Sequence, residues 1–415
     1  MPHLPVASSK TQSKFTNRPF GCFLDAYAAQ LKERGYVSTT IYQYVWIATD
    51  WCRWIHRSKS RASNVNSRGI KNYLLHRHRT HCPTRLDHPA LEGFLSFLQE
   101  KGVAHKDVMP VVMTPLRKEV QAFQHYLNQE RRLRLSTQGG YLVFIRRFLT
   151  EQFGRGPVRY DRLCVTSVTD FVRRHAPKLS QGGKPVLLTA LRVFLRYLRY
   201  RDLIATDLAA CVPRVANWRL ASLPKFISNK DVQKLLRSCD SSTPRGSRNY
   251  AILLLLARLG IRVGEVLSLQ LEDICWETGE LLIRSKGGRM DRMPLPHDVG
   301  QAIATYLKKG RPRCSSRYLF IRALAPHRPL SARSAALSKM VHRILDRAGI
   351  HAPSPRVGAH LLRHSLATSM LQRGASLPEI AQVLRHRRLD TTAHYAKVDD
   401  RALSTVARAW PGGAR

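Results

Sequence analysis

Six side chains stand in an order that could do chemistry on a phosphodiester. They are Arg262 in ARLGIRVGEVLSL, Lys286 in RSKGGRMDRMPLP, His360 and Arg363 in HLLRH, His386 in VLRHRRLDTTAHY, and Tyr395, which closes that segment. Five of them offer positive charge or N–H donors to the oxygens of a pentavalent phosphate, and a guanidinium can match two such oxygens at once. The sixth offers a hydroxyl able to attack phosphorus. Together they point to metal-free breakage and rejoining of DNA. Taken singly, each has a plainer reading: Arg262 as a surface arginine, HLLRH as a basic patch, Tyr395 as one half-buried tyrosine among 14. Order and spacing give the set its meaning.

The elements that must carry these residues can be read around them. AILLLLA, residues 251–257, is apolar on all sides and too short to span a bilayer, which marks a helix buried in a core. Arg262 follows it on a turn flanked by Gly260 and Gly264, where glycines let backbone approach a ligand. ELLIRS, KGGRMD and RMPLP predict a hairpin with Lys286, Gly287 and Gly288 near its tip. On a helix, His360, Arg363 and His364 fall at i, i+3 and i+4 and share one face. LPEIAQVL places His386 near a helix end. This third block opens at about residue 225 with Ser228 and Asp231 as a capping box, and reads as mainly α with one small sheet.

Two helical blocks precede it. In the first, Ile41, Tyr44, Val45, Ala48, Cys52 and Ile55 keep helical period, with Ser38, Thr39 or Thr40 as cap. Two further helices follow, the second stopped by Gly102. The second block repeats this layout in four helical segments, with Pro115 early in one and Ser136 capping the next. Its last segment carries Arg192, Arg196 and Arg199 at i, i+4 and i+7, opposite Leu187, Leu191, Phe194 and Leu198. That stripe is either a solvated face or a set of phosphate contacts that position rather than read DNA. The proline-bearing segment VPRVANWRLASLPKF links blocks two and three as a connector across an open surface.

Composition narrows the partner. Lys and Arg outnumber Asp and Glu by 69 to 28, a formal charge of +41, which suits a polyanion. The 8 cysteines are scattered without a CxxC pair and read as free thiols of a reducing cytoplasm. His76, His78, His81 and Cys82 could hold zinc, but no paired ligand set follows, and a basic His-rich loop is the simpler reading. The first residues lack an apolar signal region. Neither a cofactor nor a metal is expected, no Walker loop is present, and no membrane contact is expected.

The third block resembles the catalytic domain of the tyrosine recombinase (phage integrase) family. The resemblance rests on GIRVGEVLSL, the lysine in SKGGR, HLLRHSLAT, VLRHRRLDTTAHY and the trailing AKVDD, in the expected order. It implies three domains. Residues 1–108 would be a helical, SAM-like or accessory (arm) DNA-binding domain, 109–215 a core-binding domain, and 216–415 the catalytic domain, the whole forming a C-shaped clamp on double-stranded DNA. It implies Tyr395 as the nucleophile that leaves a 3′-phosphotyrosyl bond and a free 5′-hydroxyl. His360 would accept or orient its proton, Arg262, Arg363 and His386 would hold the non-bridging oxygens, and Lys286 would protonate the departing 5′-oxygen. It further implies a homo-tetramer on synapsed sites, accessory recombinases or DNA-bending proteins as further partners, a nucleoid-associated location, and service to a mobile element through integration or transposition. Relaxation of DNA as by a type IB topoisomerase, and non-catalytic DNA binding, are the alternatives. The chain departs from the family in two places: Arg385 stands where Gly is usual before the third-box histidine, and Leu361 where Asp is frequent.

Overall fold

The structure, a computed structural model, describes residues 20–57, 65–104, 113–154, 156–214, 223–285, 289–330, 336–352, 358–386 and 388–398. The chain divides into two compact units, Met1–Asp107 with Leu223–Arg415, and Val108–Ser222.

At the amino end of the first unit, four helices pack around one core: α1 (Leu24–Glu33), α2 (Ser38–Arg57), α3 (Ser67–Thr80) and α4 (Asp87–Glu100). Tyr27, Trp51, Phe94 and Phe97 fill its centre. Buried Arg77 joins the helices by pairing with Asp50 at 3.0 Å and Asp87 at 3.4 Å, while Tyr73 donates to Asp50 at 2.6 Å. Gly102 adopts a positive φ of 72° just after α4, as its stop signal predicts. Two local expectations shift. Helix α2 begins at Ser38, so the cap position falls on Val37, whose carbonyl accepts from Thr40 and Ile41. His76 and His78 lie on α3 rather than in a loop; His78 faces Asp87 at 3.5 Å, and His81 Nδ1 lies 2.8 Å from Thr80 Oγ1. Among the described residues no cluster of three metal-ligating side chains occurs.

The second unit holds α5 (Pro115–Gln129), α6 (Leu135–Phe153), α7 (Val165–His175) and α8 (Gly183–Tyr200) around Phe123, Phe148, Phe171, Phe194 and Tyr197. Thr114 caps α5 by accepting from the Arg117 amide, with Pro115 in the first turn where its missing N–H costs nothing. Ser136 is not a cap: α6 starts one residue before it, and Arg134 takes the cap position. On α8 the expected arginine stripe is partly engaged. Arg192 donates to the Val212 and Pro213 carbonyls at 3.3 and 2.7 Å, Arg199 donates to the Ala205 carbonyl, and Arg196 is exposed.

The rest of the first unit begins with α9 (Asn229–Arg237), capped by Ser228, which accepts from the Asp231 amide at 3.1 Å. It continues through α10 (Pro244–Arg258), α11 (Val263–Ser268) and α12 (His297–Thr305), then α13 (Ala336–Arg347), α14 (His360–Gln372), α15 (Leu377–Val383) and a 3₁₀ turn, Ala393–Val398. Every residue from Ala251 to Ala257 on α10 is buried, so this helix is the axis on which the others pack. Between α11 and α12 lies an antiparallel sheet in the order β1 (Ile274–Cys275), β2 (Glu280–Arg284), β3 (Met290–Pro294). Strands β2 and β3 are the predicted hairpin; the two-residue β1 is an addition. Asp291 sits opposite Ile283 and Met293 opposite Leu281, so both point to the protein side of the sheet with those two buried residues. Lys286, Gly287 and Gly288 lie outside the described residues, as does the segment after Val398.

Because residues 251–257 of α10 are all enclosed, Leu255→Ala should leave a cavity the surroundings cannot fill. A loss of about 2–5 kcal/mol is expected in chemical denaturation, and a loss under about 1 kcal/mol would show that α10 is not the packing axis.

Candidate functional site

Arg262 occupies the cap position of α11, directly after Gly260 and Ile261. Gly260 needs its glycine: φ is +56°, and an added Cβ would come within 2.6 Å of Leu384 Cδ2 and 3.0 Å of Leu366 Cδ2. His360 opens α14 and Arg363 follows one turn later. Arg363 is buried and donates to two backbone carbonyls, Gly260 and Leu384. One guanidinium thus ties the turn before Arg262 to the turn before His386. Burial, with Arg262 nearby, lowers the Arg363 pKa to about 10.

Helix α15 ends in a Schellman turn. The amide of Arg385 donates to Gln382 O at 3.0 Å and that of His386 to Ala381 O at 2.8 Å. The turn puts Arg385 at φ +54°, which explains why glycine is usual here. The arginine side chain is put to use: Nη2 donates to Glu265 Oε2 at 2.7 Å, Nε lies 3.8 Å from Asp291 Oδ2, and Nη1 meets Met293 Sδ. Glu265 also takes Arg262 Nη1 at 3.0 Å and the Arg262 amide at 3.1 Å. Ser285 Oγ lies 3.2 Å from Glu265 and 3.1 Å from Asp291, and Arg289 Nε donates to Asp291 at 2.6 Å. The residues on either side of Lys286 are therefore anchored to Arg262 and to the turn before His386, although Lys286 itself is not among the described residues. Burial alone would raise the Glu265 pKa; the Arg262 amide and the charges of Arg385 and Arg262 outweigh it and keep the carboxylate ionised.

Tyr395 sits on the closing 3₁₀ turn, 2% exposed, packed with Ala367, Leu371, Ile380 and Leu384. Burial raises its pKa to about 12, with Arg363 opposing. Its hydroxyl lies 2.8 Å from Nδ1 of His364. His386 Nδ1 lies 2.7 Å from Thr392 Oγ1 in the same turn segment. Burial lowers both His364 and His386 to about 4; neighbouring His360, His394 and Arg363 add to the effect on His364, and Arg363, Arg262 and His364 to that on His386. His360 is shifted down in the same sense by desolvation and then by Arg363 and Arg262, though its side chain keeps an open edge to solvent. Five of the six sequence-predicted residues therefore lie within one electrostatic neighbourhood. Two partners were not among them. His364 was placed on the right helix face, but which histidine on that face meets the tyrosine was not readable; Glu265 carried no signal beyond its place three residues after Arg262.

The sequence profile of the phage integrase family matches residues 225–402. Over 398 residues, 96% of each chain, the protein is 42% identical to "Putative integrase/recombinase y4rA" of Sinorhizobium fredii (strain NBRC 101917 / NGR234). It is 32% identical over 294 residues to the tyrosine recombinase XerC of Lacticaseibacillus casei (strain BL23), covering 68% of this chain and 94% of that one. Among solved structures, the XerH site-specific recombinase in a post-cleavage complex superposes with a TM-score of 0.55 at 22% identity, over 70% of this chain and 86% of that one. A lambda integrase dimer gives 0.53 at 16% identity, over 71% and 97%. The chain belongs to the phage integrase family and is a tyrosine-type site-specific recombinase.

The Arg385 exchange sets two effects against each other. Arg385→Gly removes a left-handed backbone cost of about 1–2 kcal/mol. It also breaks a buried ion pair, a loss of about 3–5 kcal/mol, lessened here because Arg262 still faces Glu265. The pair should win: wild type more stable than Arg385→Gly by about 1–3 kcal/mol, with Arg385→Ala, which keeps the backbone cost, lowest. Thermal melting of the three proteins ranks them, and a glycine variant at or above wild type would show that Arg385 contributes no compensating bond.

Proposed function

We propose that the protein cuts and rejoins duplex DNA through a 3′-phosphotyrosyl intermediate, with Tyr395 as nucleophile. The observation that carries this reading is the clustering of Arg262, His360 and His386 around Arg363, whose charge reaches the buried Tyr395, with more positive charge than the enclosed carboxylates balance. In this reading the Tyr395 oxygen bonds to the scissile phosphorus as the bond to the 5′-oxygen breaks. Arg262, Arg363 and His386 hold the non-bridging oxygens and offset the charge that grows on them, and family resemblance gives the phenolic proton to His360. Lys286, between the anchored ends of the hairpin, gives a proton to the departing 5′-oxygen. The energy of the broken bond is kept in the tyrosyl ester, and the 5′-hydroxyl of another strand reverses the step.

The same reading divides the chain into an accessory helical domain (1–108), a core-binding domain (109–215) and a catalytic domain (216–415). Separate hydrophobic cores in the three regions support that division. The two helical regions and the catalytic region would close around DNA as a clamp. Arg192, Arg196 and Arg199 would lie along the phosphate backbone, with Arg196 the freest to do so. Four copies would act on two synapsed sites, with accessory recombinases or DNA-bending proteins assisting. Kinship with a protein named as an integrase/recombinase, and a fold shared with a transposon integrase, favour service to a mobile element.

Tyr395→Phe should bind DNA with unchanged affinity and form no covalent adduct on nicked duplexes tiled across the DNA flanking the gene; an adduct on that variant removes Tyr395 as nucleophile. Arg262→Lys keeps the charge and loses the two-pronged donor, so strand cleavage should fall on the order of 10²-fold or more. Single-turnover cleavage within a few-fold of wild type would exclude contact between Arg262 and the phosphate.

A further inference from the structure

We propose that His364, rather than His360, is the group that takes the phenolic proton from Tyr395 during cleavage and returns it during rejoining. The inference rests on the reading of Tyr395 as nucleophile. Family resemblance assigns proton acceptance to the first histidine of HLLRH; here the last one holds the hydroxyl. Its Nδ1 lies 2.8 Å from the Tyr395 oxygen, the ring centroids are 5.6 Å apart, and no other hydrogen bond to that oxygen is found among the described residues. His360, four residues earlier on α14, lies near Arg363 and Arg262, and among the described residues it makes no hydrogen bond to Tyr395.

The chemistry balances. The phenol O–H donates to Nδ1 of a neutral imidazole whose other nitrogen carries the ring proton. As the oxygen–phosphorus bond forms, the phenolic proton moves to Nδ1, and the 5′-oxygen leaves with a proton from Lys286. In rejoining, the attacking 5′-hydroxyl gives its proton to Lys286, and His364 reprotonates the departing phenolate. The ring is poised for this by its setting. It is partly buried, and the charged or titratable groups facing it are His360 and Arg363 from its own helix, His394 and Tyr395 from the closing turn, and His386. Burial shifts the other histidines in that group in the same direction. Ala367, Leu371, Ile380 and Leu384 pack with the tyrosine, and among the described residues only His364 holds its hydroxyl.

The test uses full-length protein and the nicked duplex that wild type cleaves among those tiled across the flanking DNA. His364→Ala should retain DNA affinity and melting temperature while adduct formation slows on the order of 10²–10³-fold. Imidazole added to the reaction should restore part of the rate by occupying the vacated space, and the deficit should narrow as pH rises from about 7 to about 9.5, where hydroxide replaces the missing base. A substrate with sulfur in place of the bridging 5′-oxygen, whose thiolate leaves without a proton, should not rescue it. His364→Gln, which can hold a hydrogen bond but take no proton, should be as slow as alanine and keeps the test open if the alanine variant fails to fold. The proposal is overturned if either variant cleaves within about threefold of wild type, or if a folded, DNA-binding variant stays inactive in imidazole and at alkaline pH. If wild type itself forms no adduct at Tyr395, the reading beneath it falls; an adduct in wild type with unaffected His364 variants sinks this inference alone.

Discussion

Three guanidinium groups crowd one buried carboxylate. Arg262 and Arg385 both bind Glu265, and Arg363, enclosed close to Arg262, has no carboxylate within bonding distance among the described residues. Asp291, the next acid, is taken mainly by Arg289. A cluster so short of negative charge is costly to hold together in a low-dielectric setting, which is why burial and Arg262 pull the Arg363 pKa down. The cost falls when an anion arrives. In the proposed reaction the anion is a phosphodiester, which brings one negative charge in its ground state and gathers a second as the attacking oxygen adds, so the attraction would grow as the reaction advances. Binding that strengthens towards the transition state is what raises a rate.

The backbone keeps that charge in place. Arg363 donates to Gly260 and Leu384, so its own orientation and the turns before Arg262 and His386 are fixed by the same bonds. Gly260 admits the close approach of Leu384, and the Schellman turn after α15 aims His386 inward. Arg385 shows a second solution to a problem glycine usually solves. The left-handed turn is retained with a side chain, and that side chain then stitches the turn to Glu265 and to strand β3. Position within the sheet makes this contact available, because Asp291 and Met293 share the inward face with Leu281 and Ile283.

Much of this was legible in the sequence, and the gaps have physical causes. Helices with a clear 3.6-residue period, the wholly apolar stretch before Arg262, and the hairpin marked by paired glycines were all readable because local patterning and tertiary burial agree there. Strand β1 was not: two residues carry no periodicity, and Ile274 pairs only because β2 offers an edge. Ser136 misled because a good capping residue sits one position inside a helix whose start is set by packing. At the site, the order of Arg, His, Arg, His and Tyr gave the residue types, and the i, i+4 spacing put two histidines on one face. Which of them meets the tyrosine depends on where the closing turn crosses α14, a long-range fact with no local trace. The tail of the chain and Lys286 fall outside the described residues, so their expected parts remain proposals.

The values at the tyrosine look unpromising for proton transfer until the charge deficit is considered. Burial holds the phenol near 12 and His364 near 4, so the proton stays on oxygen. After burial, the groups that depress His364 are His360, His394 and Arg363, of which Arg363 is the guanidinium. In the proposed reaction, a phosphate held by Arg363 would cancel part of that field and make the imidazole a better base, while bond formation at phosphorus would make the phenolic proton more acidic. Both changes come from the same event and neither occurs without it. Under the proposed mechanism, activation of the buried tyrosine would thus be coupled to the arrival of the strand it is proposed to cut.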